Sequence, residues 1–218
     1  MPEETERKYL HVSADELRPL LLAAGAKLCY GPYFETNVLY DLPGKPLREK
    51  HQLLRLRTLE QAGRCDCRLT FKAPLPDALA CGRPVKRREE LELGLDDAKA
   101  MHAILTRLGY IEIGRYEKVR SSWHIGDTVH IDIDELPFMH CVEIEAPLDS
   151  FEKTEQMLGL SAKETSAASY HALYTEWLAG QGLQPSADLL FEPEERDRIR
   201  AELGLECGSD CVAASLAR

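Results

Sequence analysis

The sequence predicts an α+β protein, mainly β, in which antiparallel strands carry charged side chains on one face and helices cover the other. Two observations predict this class. Several short segments alternate ionisable and apolar residues with the period of two that is typical of strands. Amphipathic segments with helical spacing lie between them, and glycine- and proline-rich turns separate the segments. Charged residues make up 29% of the chain and apolar residues 44%, as in ordinary globular domains.

The predicted elements follow one another closely along the chain. Ser13 and Glu16 form a capping box before a helix whose leucines recur at helical spacing up to Gly25. Besides the N-terminal segment around Glu6, strands are predicted at 33–41, 53–59, 64–72, 85–93, 113–125, 128–134 and 140–146. Further helices are predicted at 96–108, 150–158, 164–179 and 193–203, and a loop at 73–84.

The charge and cysteine content exclude several classes of protein. The 218 residues include 27 basic and 37 acidic ones, so the net charge is −10 and binding of duplex nucleic acid through bulk positive charge is not expected. The N-terminus lacks the pattern of a secretory signal, and no segment is apolar enough to span a membrane. We therefore expect a cytoplasmic protein. Its seven cysteines form no CxxC pair, so we expect reduced thiols.

Composition divides the chain into two parts. We expect one domain over residues 1–180 and an acidic tail over residues 181–218. The tail is rich in Asp and Glu, and its 193–203 segment is predicted to be a short exposed helix with i,i+4 ion pairs. We expect the last ten residues to be loosely ordered.

Alternate residues of a strand point to the same side, so each predicted strand carries a charged stripe. The acidic members are Glu4, Glu6, Glu90, Glu92, Asp132, Asp134, Glu143 and Glu145. The basic members are Lys8, Arg55, Arg57, Lys72, Arg88, Lys118 and Arg120. On a single strand, a solvated outer face explains such a stripe. On six strands together, like charges two residues apart require compensation, which metal cations and a polyanion would supply.

If the strands close into a barrel, both sets of charges face one lumen. Carboxylate oxygens suit Mg²⁺ or Mn²⁺, and clusters of Arg and Lys suit phosphate. Together they predict a site for a metal-bound polyphosphate, with phosphoryl or nucleotidyl transfer as its chemistry. Of the basic run before the Glu90 strand, we assign only Arg88 to the stripe and interpret Arg83, Lys86 and Arg87 as loop charges or as charges that guide an anion to the tunnel mouth.

The charged motifs form an ordered series that begins with Glu4-Thr-Glu6-Arg-Lys8. It continues with Leu54-Arg55-Leu56-Arg57, Thr70-Phe71-Lys72, Arg88-Glu-Glu90-Leu-Glu92, Glu117-Lys118-Val-Arg120, Asp132-Ile-Asp134-Glu135, Glu143-Ile-Glu145 and Ser169-Tyr170. This series resembles the CYTH superfamily, also called triphosphate tunnel metalloenzymes, over residues 3 to about 178. The resemblance implies an antiparallel eight-stranded β-barrel tunnel with a charged lumen and helices packed outside.

The resemblance also implies roles for the stripe residues. The basic members would hold the oxygens of a triphosphate-containing small molecule, with Arg88 in support. Ser169 and Tyr170 would begin the helix that closes one tunnel end. We assign catalytic roles to Lys8, Glu6 and Asp134. The divalent ions would be held by Glu4, Glu6, Glu143 and Glu145, helped by Asp132 or Asp134 and by Glu90 and Glu92.

One position departs from the family pattern. Several members carry a tyrosine in a segment that resembles Asp-x-Tyr-x-Asp, and in triphosphatases this tyrosine can pair with a lysine to activate water. Here the slot holds Leu39, and Tyr40 is one residue further on, so we expect it to face the other side of the strand. A Tyr–Lys dyad is therefore not expected, whereas activation of water by a metal ion or a carboxylate stays open.

Three functions fit these observations. The first is a divalent-metal-dependent phosphohydrolase acting on inorganic, nucleoside or thiamine triphosphate. The second is a class IV adenylyl cyclase that converts ATP to cyclic AMP and pyrophosphate. We favour the triphosphatase, because a cyclase must also hold adenine and no sequence feature marks an adenine pocket. The third is a non-catalytic polyphosphate- or nucleotide-binding module, and a homodimer is compatible with all three.

Overall fold

The computed structural model describes residues 3–80 and 82–205. The strands are β1 (Glu3–Leu10), β2 (Lys27–Asp41), β3 (Leu53–Gln61), β4 (Arg64–Pro74), β5 (Ala78–Ala80), β6 (Arg83–Leu95), β7 (Ile111–Ile125), β8 (Val129–Leu136), β9 (Met139–Glu145), β10 (Thr165–Ser166) and β11 (Asp188–Leu189). The helices are α1 (Ala14–Ala23), α2 (Pro46–Glu49), α3 (Ala98–Arg107), α4 (Phe151–Met157), α5 (Tyr170–Gly180) and α6 (Pro193–Glu202).

Eight long strands form a closed antiparallel barrel, which confirms the predicted fold. Their hydrogen-bonded order is β1-β9-β8-β7-β2-β3-β4-β6, and β6 pairs back with β1 to complete the ring. The closing register sets Glu4 opposite Arg88 and Glu6 opposite Lys86. Closure leaves these eight strands without a free edge, and it turns their inner faces into a lumen.

The apolar faces of the strands point outward and pack beneath helices. Leu21 of α1 and Phe151 of α4 are fully buried in the same cluster as Ile144 of β9. On another side, Leu105 of α3 packs in a cluster with Leu56 of β3. Each such side chain contributes about 1.5–3 kcal/mol through its burial. The core of the molecule therefore lies between the barrel and its helices, which leaves the lumen to polar groups.

The helices do not cover the whole outer surface, so that expectation is wrong at β6. Leu91 and Leu93, on the outer face of this strand, remain 46% and 61% exposed. The helix predicted at 164–179 begins only at Tyr170, because Thr165 and Ser166 pair with β1 as a short strand. Among the described residues, no helix is long and apolar enough to cross a lipid bilayer.

Two further expectations are corrected. The helix predicted at 193–203 is present as α6, but it is docked on the barrel rather than exposed. Arg200 donates to both carboxylate oxygens of Glu60, at 2.9 and 2.8 Å, and Phe191 and Ile199 are buried. Cys65 is disulfide-bonded, so the expectation of reduced thiols fails for this residue. The predicted loose end of the tail lies outside the described residues.

A buried polar network outside the lumen fastens β1 to its surroundings. Arg7 is 2% exposed and forms an ion pair with Glu155 of α4. Its guanidinium also donates to the carbonyl oxygens of Ala80 and Arg83, at 2.6 and 2.7 Å. The Tyr9 hydroxyl donates to the same Glu155 carboxylate at 2.6 Å. These contacts hold together the strand pair that closes the barrel.

We therefore expect the Arg7→Met variant to lose about 3 kcal/mol of unfolding free energy, because Glu155 would lose the more buried of its two cationic partners. Urea denaturation of the purified variant measures this loss. The control is Arg64→Met, because Arg64 is exposed and its pair with Asp66 is worth ~1 kcal/mol or less. Equal stability of the two variants would contradict this role of Arg7.

Candidate functional site

A cavity of about 1180 Å³ runs through the barrel. Strand alternation directs the charged stripes into it, as the sequence predicted. The predicted site residues that line it are Glu4, Glu6, Lys8, Arg55, Arg57, Lys72, Arg88, Glu90, Glu92, Lys118, Arg120, Asp132, Glu143 and Glu145. Asp134 is fully buried beneath this lining rather than part of it.

The acidic side chains are concentrated on β1, β9 and β8, which are neighbours in the barrel. The register sets Glu6 directly opposite Glu145 and Asp132 opposite Glu143. Glu4, Glu6 and Glu145 each offer a carboxylate oxygen, and these three oxygens lie within 4.8 Å of one another. We call these three residues the acidic cluster.

The acidic cluster holds more negative charge than its surroundings neutralise. Burial and the charges of Glu4, Asp132 and Glu6 raise the pKa of Glu145 to about 9. Burial and the charge of Glu143 also raise the pKa of Glu6. Three crowded carboxylates with hard oxygen ligands suit a divalent cation such as Mg²⁺ or Mn²⁺, whose charge would relieve this repulsion.

The other acids of this wall are paired with bases. Arg120 of β7 forms ion pairs with Asp132, Asp134 and Glu143. Lys8 lies 3.0 Å from Glu143, and together with Arg120 it holds the pKa of Glu143 well below its usual range despite burial. Each of these acids has a close cationic partner. In the acidic cluster, Glu4 is paired with Lys72, but Glu6 lies no closer than 3.7 Å to a described base.

Asp134 has no oxygen left for a ligand in this arrangement. It accepts from Lys118 Nζ at 3.2 Å, from Arg120 Nε at 2.6 Å, and from the Tyr170 hydroxyl. The carboxylate therefore fixes the positions of two cations and a tyrosine.

Glu90 and Glu92 lie away from the acidic cluster. Glu90 is 3.2 Å from Lys72, which also donates to both oxygens of Glu4 at 2.8 and 2.6 Å. Glu92 accepts from Arg68 at 2.7 Å and from the Thr70 hydroxyl at 3.0 Å. The structure thus brings together three of the eight predicted metal ligands and ties the others to bases or polar groups.

The basic wall contains arginines that the protein does not fully satisfy. The Nε atoms of Arg55, Arg57 and Arg88 are buried without a hydrogen-bond partner among the described residues. Arg55 and Arg88 form no ion pair with a described acid, and the pair of Arg57 with Glu35 is 3.5 Å long. Guanidinium groups with spare donors in a cavity are suited to bind phosphate oxygens.

One side of the cavity is bordered by the start of α5. The Ser169 side chain caps this helix by accepting from the Ala172 backbone N–H at 3.2 Å. The Tyr170 ring lies 4.5 Å from Lys8 Nζ and 5.2 Å from Lys118 Nζ, measured to the ring centroid. Such cation–π contacts help to hold both lysines in place.

Sequence reasoning missed several residues of the lumen. Lys86 lines the cavity, so its interpretation as a loop charge is wrong; it lies two residues before Arg88 and has the same strand parity. Tyr116 accepts from Arg55 Nη1 at 2.8 Å. Glu35 is fully buried and lies 3.5 Å from both Arg57 and Lys118. Glu35 lies four residues before Leu39 on β2, and Tyr116 lies two residues before Lys118 on β7. Each therefore shares a strand face with its partner, and strand parity could have identified both.

The segment that departs from the family pattern has the expected geometry. Leu39 lines the cavity and packs near Tyr116. The Tyr40 ring lies in the outer core, and its hydroxyl is 2.8 Å from His102 Nδ1. The Tyr40 hydroxyl is therefore engaged outside the lumen.

The CYTH domain family model matches residues 2–170. No curated protein matches the sequence. Solved structures share the fold, and three of them show how far the likeness extends. A protein of Pyrococcus horikoshii OT3 has a TM-score of 0.63 and 23% identity, with 80% of this chain and 99% of that chain covered.

The other two structures are of proteins described as candidate adenylyl cyclases. The one from Vibrio parahaemolyticus has a TM-score of 0.62 and 19% identity, with 78% of this chain and 97% of that chain covered. The one from Hippeastrum, for which a dominant triphosphatase activity is described, has a TM-score of 0.56 and 19% identity, with coverages of 83% and 97%. At these identities the comparison shows a common fold.

The crowding in the acidic cluster predicts a pH-dependent penalty on stability. The pKa of Glu145 is about 9 in the folded protein against an ordinary value of 4.5. The folded state therefore binds this proton more tightly than the unfolded state, and stability falls as pH rises from about 4.5 to about 9. Without divalent ions, we expect Glu145→Gln to raise the melting temperature at pH 9 by roughly 2–4 °C or more.

Thermal melts in EDTA across this pH window provide the measurement. Glu152→Gln is the control, because Glu152 is an exposed carboxylate on α4. If the melting temperature of Glu145→Gln differs from that of the wild type by the same amount at every pH, charge repulsion in the acidic cluster does not destabilise the folded protein.

Proposed function

Since the chain belongs to the CYTH domain family, we propose that it is a divalent-metal-dependent phosphohydrolase acting on a triphosphate bound in the barrel tunnel. One observation carries this proposal: the acidic cluster and the incompletely paired arginines Arg55, Arg57 and Arg88 share a single cavity. A metal–triphosphate complex has the complementary pattern, because its cation suits the cluster and its phosphate oxygens suit the guanidinium groups.

We assign the divalent ion, Mg²⁺ or Mn²⁺, to Glu4, Glu6 and Glu145. When bound, such an ion neutralises charge on the phosphoryl group and on the leaving oxygen. Glu143 and Asp132 border the cluster and are paired with Lys8 and Arg120, so we give them a supporting role. Glu90 and Glu92 lie outside the cluster, and we propose that they orient Lys72 and Arg68.

The proposed phosphate ligands are Arg55, Arg57, Arg88 and Lys72, because the first three have spare donors and Lys72 lies between the two walls. Lys118 and Arg120 are more fully engaged in ion pairs, and they add positive electrostatic potential behind the four proposed ligands. Lys8 stays protonated, because Glu143 and Glu6 raise its pKa although burial opposes them. Its ammonium group is therefore available to stabilise the charge that develops during transfer.

In the proposed reaction, the oxygen of a water molecule bonds to the terminal phosphorus. The bond from this phosphorus to the bridging oxygen breaks, and the electron pair leaves with the remaining diphosphate, which is pyrophosphate when the substrate is inorganic triphosphate. We assign Glu6 as the group that receives the proton of the water. The transition state is loose, so positioning and charge neutralisation supply most of the rate acceleration. Asp134 acts as a positioning residue through Lys118 and Arg120.

A class IV adenylyl cyclase is the second candidate, and the size of the cavity favours it. A volume of about 1180 Å³ exceeds what a bare triphosphate fills, since pockets of ~300–1,000 Å³ hold drug-sized ligands. A non-catalytic binding module is less well supported, because anion binding alone does not require the acidic cluster.

A panel of substrates separates these functions. Tripolyphosphate, ATP and thiamine triphosphate are each incubated with Mg²⁺ or Mn²⁺, and phosphate, pyrophosphate and cyclic AMP are quantified. We expect phosphate as a product, with no turnover in EDTA. Cyclic AMP formed in equal amount with pyrophosphate would instead identify a cyclase, and tight binding without any product would identify a binding module.

The acidic cluster gives a more local prediction. We expect Glu4→Gln to lower metal-dependent turnover roughly 100-fold or more, since even residues that only orient metal ligands are worth 10–100-fold. Steady-state kinetics over a Mg²⁺ titration measures this, with circular dichroism to verify folding. Glu3→Gln is the matched control, because Glu3 is the preceding residue on the same strand and its exposed side chain pairs with Arg87 rather than with the acidic cluster. Turnover of Glu4→Gln close to that of the control would contradict the assignment.

A further inference from the structure

The cavity extends beyond the acidic cluster and the arginines to a mouth beside α2. Lys45, Arg48 and His51 line this end from the segment that contains α2. His171 and Thr175 line it from α5. Arg48 lies close enough to His171 that its charge adds to burial in lowering the pKa of this imidazole, so the two elements face each other. We call the part of the cavity lined by these five residues the α2 mouth.

The α2 mouth carries positive charge that the protein leaves unpaired. Lys45 and Arg48 are exposed and form no ion pair with any acid in the described part of the chain. Arg88 and Arg55 continue the cavity lining inward, and both have a buried Nε without a partner. Unpaired cations therefore line the cavity from the arginines of the lumen to the α2 mouth, in a chain whose net charge is −10.

The backbone that presents these cations is held in place. The fully buried Asp41 carboxylate accepts from the backbone N–H of Leu42 at 2.7 Å, of Leu47 at 3.1 Å and of Arg48 at 2.9 Å. These bonds occupy Asp41, so it is not free to neutralise the Arg48 side chain. Arg88 donates to the His51 carbonyl oxygen at 3.1 Å, which joins this segment to β6. The α2 mouth is thus preorganised, which lowers the entropic cost of binding there.

We infer that the α2 mouth is an additional phosphate subsite, and that the chain binds linear polyphosphates longer than three units in preference to triphosphate. This inference rests on the proposed function, because the first three phosphates would occupy the lumen. Each further phosphate brings another negative charge, which Lys45 and Arg48 can bind. A neutral nucleobase would gain little from two exposed cations, so the chemistry of this mouth favours phosphate.

Equilibrium binding tests the subsite without relying on turnover. Calorimetry compares tripolyphosphate with long-chain polyphosphate in EDTA, where no hydrolysis is expected. We expect Lys45→Gln/Arg48→Gln to weaken long-chain polyphosphate binding roughly tenfold, since two charge-assisted phosphate contacts are lost, and to change tripolyphosphate binding less than about twofold. Lys99→Gln/Arg107→Gln on α3 is the matched control, because it removes the same charge from exposed positions outside the cavity lining.

Three outcomes would overturn the inference. Equal weakening of both ligands would show that the two cations act only through long-range attraction. Unchanged binding of long-chain polyphosphate, or wild-type binding no tighter than that of tripolyphosphate, would show that the subsite does not exist. By contrast, selective loss of long-chain binding in a protein that hydrolyses neither ligand would support the subsite and reject only the proposed hydrolase.

Discussion

The pairing of β1 with both β9 and β6 is the constraint on which the rest of the structure depends. An open antiparallel sheet with charged stripes would present them to water, where they need no explanation. Closure confines the stripes to one lumen and places acids and bases within a few ångströms of each other. Each charge must then find a partner or raise the free energy of the folded state. The buried Arg7–Glu155 contact on the outer side helps to maintain this closure.

The order of strands around the barrel decides which charges are satisfied. Arg120 lies across from β8 and can reach Asp132, Asp134 and Glu143. Glu145 faces Glu6 across β1 and β9, so its strongest charged neighbours are acids. Arg55 and Arg88 lie on β3 and β6, away from the β8–β9 acids, and keep unpartnered nitrogens. Lumen charges thus separate into a paired set and two incompletely neutralised sets of opposite sign, the acidic cluster and the arginines. The incompletely neutralised sets point to ligands, because the folded chain alone compensates only part of their desolvation.

Much of the fold followed from local patterns in the sequence. The alternation in β3 or β8 predicted which side chains face inward, since strand parity depends only on neighbouring residues. The opposite parity of Leu39 and Tyr40 was predictable for the same reason. The closed ring of eight strands came from the family resemblance, because no local pattern in the sequence indicates that β6 pairs with β1. The packing of α6 was missed, since the Arg200–Glu60 pair joins residues that are far apart in sequence.

The identity of the residues in the candidate site was more predictable than the contacts between their side chains. Strand parity identified the charged residues, but the partition of eight carboxylates between metal-binding and structural roles depends on cross-strand register. Register placed Glu4, Glu6 and Glu145 together and fixed Asp134 between Lys118, Arg120 and Tyr170. Lys86 shows that parity must be applied to every residue of a strand, including those that precede the obvious motif.

The central claim is that the acidic cluster and the incompletely paired arginines form one site for a metal ion and a triphosphate together. The most direct test is the coupling between the two ligands, measured by calorimetry of Mg²⁺ binding with and without saturating tripolyphosphate. Heats of the tripolyphosphate–Mg²⁺ complex in buffer would be subtracted. We expect each ligand to strengthen the binding of the other by roughly tenfold or more, a coupling of ~1.4 kcal/mol that must be equal in both directions. Independent binding, or coupling that survives in the Glu145→Gln variant, would contradict the claim.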